Sequence, residues 1–110
     1  MASTTEEKVQ QLQLIEQNAQ NFAMQRQNFQ LKLMEIESAL KELEHATEAY
    51  KIIGNVMVLT SKDELVKDLT SKKETAELRI KSIERQETKL MKTADEIRQE
   101  VLGEMQNAGE

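Results

Sequence analysis

From Glu6 to about Glu48, apolar side chains recur in steps of three and four: Leu12, Ile15, Ala19, Phe22, Phe29, Leu33, Ile36, Leu40 and Leu43. Arg26 interrupts those positions. A period held near 3.5 residues over this length predicts a coiled-coil helix, because the apolar seam keeps facing the same partner. The intervening Gln, Glu, Lys and Asn suit solvated faces, and neither Pro nor Gly breaks the run before Gly54. About 40 such residues would span roughly 60 Å. A second run repeats the pattern: Val66, Leu69, Ala76, Ile80, Ile83, Leu90, Ala94, Ile97 and Val101, with Lys73 and Glu87 as polar breaks. Ser61, with Glu64 three residues later, forms a capping box, and Asp63 places a negative charge near the helix N-terminus. The spacing predicts helix one over about 6–48 and helix two over about 62–105. Gly103 and then Asn107-Ala108-Gly109 predict fraying and a flexible tail over 106–110.

Between the two helices the pattern changes. Tyr50-Lys51-Ile52-Ile53 and Val56-Met57-Val58-Leu59 flank Gly54-Asn55, and together they predict a β-hairpin over about 49–60. In that register Tyr50, Ile52, Met57 and Leu59 share one face. Ile53, Val56 and Val58 share the other, where Lys51 is the only charge. A half-buried strand alternates apolar with polar residues; this ribbon is apolar on both sides. A lone two-stranded hairpin is barely stable in water, and its open edges invite other chains. Two resolutions follow: several copies or relatives join their hairpins into shared β-structure, or the chain's own helices cover the ribbon. Long thin helices are poorly shaped to cover both faces of a sheet, which favours assembly.

Two helices of similar length joined by a short hairpin predict an antiparallel coiled coil, mainly α, within a single domain over residues 1–110. Equal helical rises bring Arg26 near Glu87. Two polar seam positions meeting there would fix register; alternatively both side chains extend outward to solvent. The same register sets Val9, Leu12 and Ile15 against Ile97, Val101 and Met105 at the end away from the hairpin. Leu14 and Met24 lie off the helix-one seam, and Leu102 and Met105 off the helix-two seam. Exposed Leu and Met make an adaptable binding surface, although single exposed leucines are also common on proteins.

Composition narrows the classes. The chain has no Pro, Cys or Trp, and its aromatics are Phe22, Phe29 and Tyr50. Charged residues make up 32% and hydrophobic ones 38%, a balance that fits long helices better than an aromatic-filled core. The net charge of −5, with no basic stripe, argues against nucleic acid. No apolar run reaches membrane-spanning length, and Met1-Ala2-Ser3-Thr4-Thr5-Glu6-Glu7 lacks a signal-peptide layout, so a soluble, intracellular protein is expected. His45 is the only histidine; it is expected on the outer face of helix one and has no second ligand at metal-binding spacing. No Gly-rich phosphate loop is present, no base stands beside a Ser or Thr, and the carboxylates line solvated faces. The reading is a non-enzyme with no metal or cofactor.

The order of helix, Tyr50-Lys51-Ile52-Ile53-Gly54-Asn55-Val56-Met57-Val58 and capped helix resembles prefoldin, specifically an archaeal-type β-class subunit. The resemblance covers nearly the whole chain. Its most specific parts are the Tyr-Lys-x-x-Gly-x-x-x-Val core of the hairpin and the stretch Ile83-Glu84-Arg85-Gln86-Glu87. A single hairpin, rather than two, also separates the β class from the α class. The Gln-rich N-terminal region departs from the family in lacking the Pro-containing start of some β subunits. The resemblance implies a cytoplasmic hexamer of two α-class and four β-class subunits whose hairpins form an intersubunit β-barrel. Six coiled coils would hold unfolded proteins at their tips without ATP and deliver them to a group II chaperonin. The residues expected at the tip are Val9, Leu12, Leu14, Ile15, Val101, Leu102 and Met105. Those expected in oligomerisation are Tyr50, Ile52, Ile53, Val56, Met57, Val58 and Leu59. A coiled-coil scaffold or tether, and a prefoldin-like homo-oligomer or filament, are the alternatives.

Overall fold

The periodic runs fold as helices and the ribbon as a hairpin. A computed structural model describes residues 4–108, in the order α1 (Thr5–Leu43), β1 (Ala49–Ile53), β2 (Val56–Thr60) and α2 (Lys62–Ala108). The start of α1 is capped by Thr4, whose Oγ1 accepts a hydrogen bond from the Glu7 amide at 3.2 Å. Glu6 and Glu7 in the first turn and Lys41 in the last complement the helix dipole. Ser61 caps α2 as expected, its Oγ accepting from the Glu64 amide at 3.4 Å.

Two boundaries differ from the spacing-based expectation. The first helix ends at Leu43, not near Glu48. There the ladder tightens into three-residue turns, with the amides of Glu44, His45 and Ala46 donating to the carbonyls of Lys41, Glu42 and Leu43. The Lys62 ammonium donates to the Glu44 carbonyl at 3.3 Å. These bonds satisfy carbonyls left over at a helix end and turn the chain toward β1. Ala46 and Glu48 are good helix formers, so propensity alone would have continued the helix. Packing ends it, because Leu43 and Ala49, on either side of the turn, are both buried. His45 consequently sits in this turn rather than on a helix face, and it is exposed. At the other terminus α2 runs through Gly103 to Ala108, where the spacing predicts a stop near 105 and a flexible tail from 106. Gly109 and Glu110 lie outside the described residues. The helix continues because Glu104, in its last turns, is held by side chains of α1.

The chain packs as two units. In the first, the segment up to Arg26 pairs with the segment from Ser82; Gln27–Lys81 forms the second. In the first unit Ile83 and Ala94 are buried, with Leu12, Ile15, Ala19, Phe22, Leu90, Ile97 and Val101 half-buried at the same three-four spacing. Arg26 Nε donates to Glu87 Oε1 at 2.8 Å, so the two polar breaks do meet in the antiparallel register. In the second unit Leu43, Ala76 and Ile80 are buried beside half-buried Phe29, Leu33, Ile36, Leu40, Val66 and Leu69. Lys73, the remaining polar break, lies 4.0 Å from the Glu37 carboxylate. The hairpin belongs to this second unit.

Candidate functional site

The hairpin pairs antiparallel in the register read from the sequence: Tyr50 with Leu59, Lys51 with Val58, Ile52 with Met57 and Ile53 with Val56. Gly54 makes the reversal possible. Its φ is +62°, and no non-glycine residue among those described has positive φ. Glycine with positive φ at the first turn position, followed by a negative φ, is the pattern of a type II′ turn, whose twist matches that of paired strands.

Each face of the ribbon can be traced from this register. Tyr50, Ile52, Met57 and Leu59 form the outer face, where Ile52 is 69% and Met57 66% exposed. The opposite face starts from buried Ala49 and half-buried Thr60 and continues through Lys51, Ile53, Val56 and Val58. It leans on α2 at its base: Lys51 Nζ lies 3.5 Å from Asp68 Oδ2, and Val58, at 42%, is the least exposed of the ribbon's large apolar side chains. Beyond that base the face is open, with Ile53 at 59% and Val56 at 62%. The alternative of a ribbon covered by its own helices therefore does not hold within the chain. Seven apolar side chains expected in oligomerisation are all exposed.

The second candidate surface lies where the start of α1 meets the end of α2, in the first unit. Here the seven residues expected at the tip divide. Val9, Leu14, Leu102 and Met105 are exposed, whereas Leu12, Ile15 and Val101 are half-buried in the seam. Met24 and Met91 in the same unit are exposed as well. The periodicity separates these sets, since seam positions recur every three or four residues and the exposed ones fall between them.

A polar cluster at this end was not foreseen. Thr5 Oγ1 donates to Glu104 Oε2 at 2.6 Å, Lys8 pairs with Glu104 Oε1, and Lys8 Nζ is also 3.4 Å from Glu100 Oε2. The Lys8 side chain is only 13% exposed. The hydrogen bond from Lys8, then that from Thr5, holds the Glu104 carboxyl below the usual glutamate range, against an opposing effect of desolvation. The bond to Glu104 raises the Lys8 ammonium above its usual range, again against desolvation, with Glu100 adding a smaller contribution. A signal was present in the sequence: Thr5, Lys8 and Glu104 continue the three-four steps of the two seams beyond their last apolar members. Counting apolar residues alone passes over them.

No helix among the described residues is long and apolar enough to cross a membrane. Among the described residues no group of three or more His, Asp or Glu side chains is placed to hold a metal ion.

Comparison with known proteins bears on the same features. A sequence model of the prefoldin subunit family matches residues 6–108, which takes in both helices and the hairpin. The chain belongs to the prefoldin subunit family. Within that family its likeness is to archaeal β subunits. It is 46% identical over 55 residues to prefoldin subunit beta of Archaeoglobus fulgidus, covering 50% of this chain and 47% of that one. It is 44% identical over 48 residues to the Thermococcus kodakarensis β subunit, covering 44% and 41%. The matched stretch thus spans about half the length of these curated relatives. The crystal structure of the prefoldin β subunit from Thermococcus strain KS-1 superposes with a TM-score of 0.84 at 34% identity, over 90% of both chains. The β2 subunit of the same strain, 18% identical, shares the fold with a TM-score of 0.73 over 80% of this chain.

Prefoldins are chaperone subunits, and the residues that carry the resemblance have definite places in this fold. Tyr50 and Lys51 lie on β1, Gly54 at the reversal and Val58 on β2. Glu87, the last residue of the Ile83–Glu87 marker, is the partner of Arg26.

Proposed function

We propose that this chain is a β-class subunit of a cytoplasmic, ATP-independent holding chaperone and performs no reaction of its own. The observation that carries the reading is the hairpin, an apolar ribbon open to solvent on both faces in a chain of the prefoldin subunit family. Burying each such side chain is worth about 1.5–3 kcal/mol, so seven exposed ones favour association with other hairpins. In the proposed assembly two α-class and four β-class subunits close their ribbons into a β-barrel. That barrel removes the open edges that a two-stranded sheet leaves.

Unfolded polypeptides are the proposed clients, and Val9, Leu14, Leu102 and Met105 the side chains that first meet them. Each contact is worth at most about 1–3 kcal/mol, weak enough to release. Several arms acting on one client raise the effective concentration and hence the avidity. Transfer to a group II chaperonin is the proposed fate of the client.

The test is co-expression with an α-class prefoldin subunit, native mass measurement, and light scattering of a chemically denatured enzyme. The expected result is a hetero-oligomer that suppresses aggregation at near-stoichiometric amounts. Removing the residues before Ile15 and after Ile97 should leave the oligomer intact and abolish protection. An intact oligomer with no effect on aggregation indicates a structural tether instead. A large homo-oligomer formed by this chain alone indicates the filament-like alternative.

A further inference from the structure

The first turn of α1 and the last turns of α2 are tied by the side chains of Thr5 and Lys8 on one helix and Glu104 and Glu100 on the other. Every other position in this part of the two seams, from Leu12 to Phe22 and from Leu90 to Val101, is apolar. The cluster therefore stands between solvent and a run of half-buried Leu12, Ile15, Ile97 and Val101. Glu104 also sits between exposed Leu102 and Met105, so holding its carboxylate holds the helical turn that carries both. Gly103 in that turn lowers the intrinsic helix stability, so the turn depends on a tertiary tie.

We infer that this four-residue cluster is an ionic clasp that sets how much apolar surface the helix ends offer to an unfolded polypeptide. Closed, it presents Val9, Leu14, Leu102 and Met105 and keeps the seam covered. Opened, it lets the end turns separate and adds Leu12, Ile15, Ile97 and Val101 to the binding surface. Glu104 is thus a positioning residue that acts through its neighbours and need not touch the client. The inference rests on the proposed holding function for its consequence, but the clasp itself is measurable without any client.

The experiment uses the full chain co-assembled with an α-class subunit, comparing wild type with Glu104→Gln, Lys8→Met and the solvent-facing control Glu96→Gln. Amide hydrogen exchange over residues 97–107 reads the clasp, and aggregation of a denatured enzyme reads the surface. A partly exposed ion pair predicts exchange faster by about threefold or more in the two clasp variants, none in Glu96→Gln, and the same acceleration of wild type on raising salt. Client protection per assembly should rise in step with exchange. Unchanged exchange in Glu104→Gln overturns the clasp. Faster exchange with protection unchanged or lowered overturns its role in setting the binding surface. A wild-type assembly that protects no client, yet shows the exchange response, counts against the holding function and leaves the clasp standing.

Discussion

At the scale of single residues, the polar positions in the seams have three different fates. Arg26 and Glu87 meet at 2.8 Å with side chains 30% and 22% exposed, as the antiparallel register requires. A polar pair in a coiled-coil seam contributes more to register than to stability. A double-mutant cycle with Arg26→Ala and Glu87→Ala, followed by chemical unfolding, should give a coupling of about 0.5–1.5 kcal/mol. A coupling near zero would mean that each side chain is solvated independently. Lys73 reaches only the flank, at 4.0 Å from Glu37, the geometry of a weaker, solvated contact. Lys8 and Glu104 differ again, because their proton equilibria are shifted in opposite directions. Glu104 is depressed, so its contribution is complete above the usual glutamate range and is lost as pH falls through the lowered value. Lys8 is raised, so its contribution is complete below the usual lysine range and is lost as pH rises through the elevated value. The stability difference between wild type and Lys8→Met should therefore be flat through neutral pH and shrink at both extremes. Denaturation across pH checks this; a difference that persists unchanged in acid would remove Glu104 as the partner that matters.

Elements are governed by their ends. Thr4 and Ser61 cap the two helices with the same hydroxyl-to-amide bond, and the Ser-x-x-Glu pattern made the second cap legible in advance. The end of α1 was not legible, because no Gly or Pro stands between Glu44 and Glu48, and weak helix formers such as His45 and Thr47 do not stop a helix by themselves. Buried Leu43 and Ala49, and the Lys62 bond to the Glu44 carbonyl, come from residues that only the fold brings together. The end of α2 errs in the other direction. Gly103, with the residues after it, predicts a frayed end, yet it is helical, and a Cβ placed on it would meet no atom within 4 Å beyond its own stretch of helix. Gly103→Ala should accordingly stabilise α2 by about 0.5–1 kcal/mol, since the added methyl costs no contact and the unfolded chain loses freedom. The readout is the thermal midpoint together with slower amide exchange around residue 103. A lower midpoint would mean that a group outside this chain lies close to this backbone in the proposed assembly.

For the molecule as a whole, the ribbon is the part that its own chain leaves unfinished. Ile52 and Met57, paired across the strands on the outer face, are among its most exposed side chains. Replacing both, as Ile52→Lys with Met57→Glu, should keep helical circular dichroism within about a tenth of wild type, because the helix seams are untouched. The native mass on co-expression with an α-class subunit should fall to that of unassembled chains. Assembly that survives the double substitution would place the subunit contact elsewhere. The distinction matters for function, because surfaces on the two packing units can then be altered separately.

The three-four spacing, the Ser61 cap and the two-faced ribbon determined two helices, one hairpin and its register, since each depends on neighbours a few residues apart. The meeting of Arg26 with Glu87 followed from equal helical rises once an antiparallel turn was assumed. Tertiary structure alone decided where α1 stops and that the side chains of Thr5 and Lys8 close on Glu104, although the three-four steps already place all three on the seams. Those outcomes depend on side chains up to 99 positions apart, whose proximity no local pattern encodes.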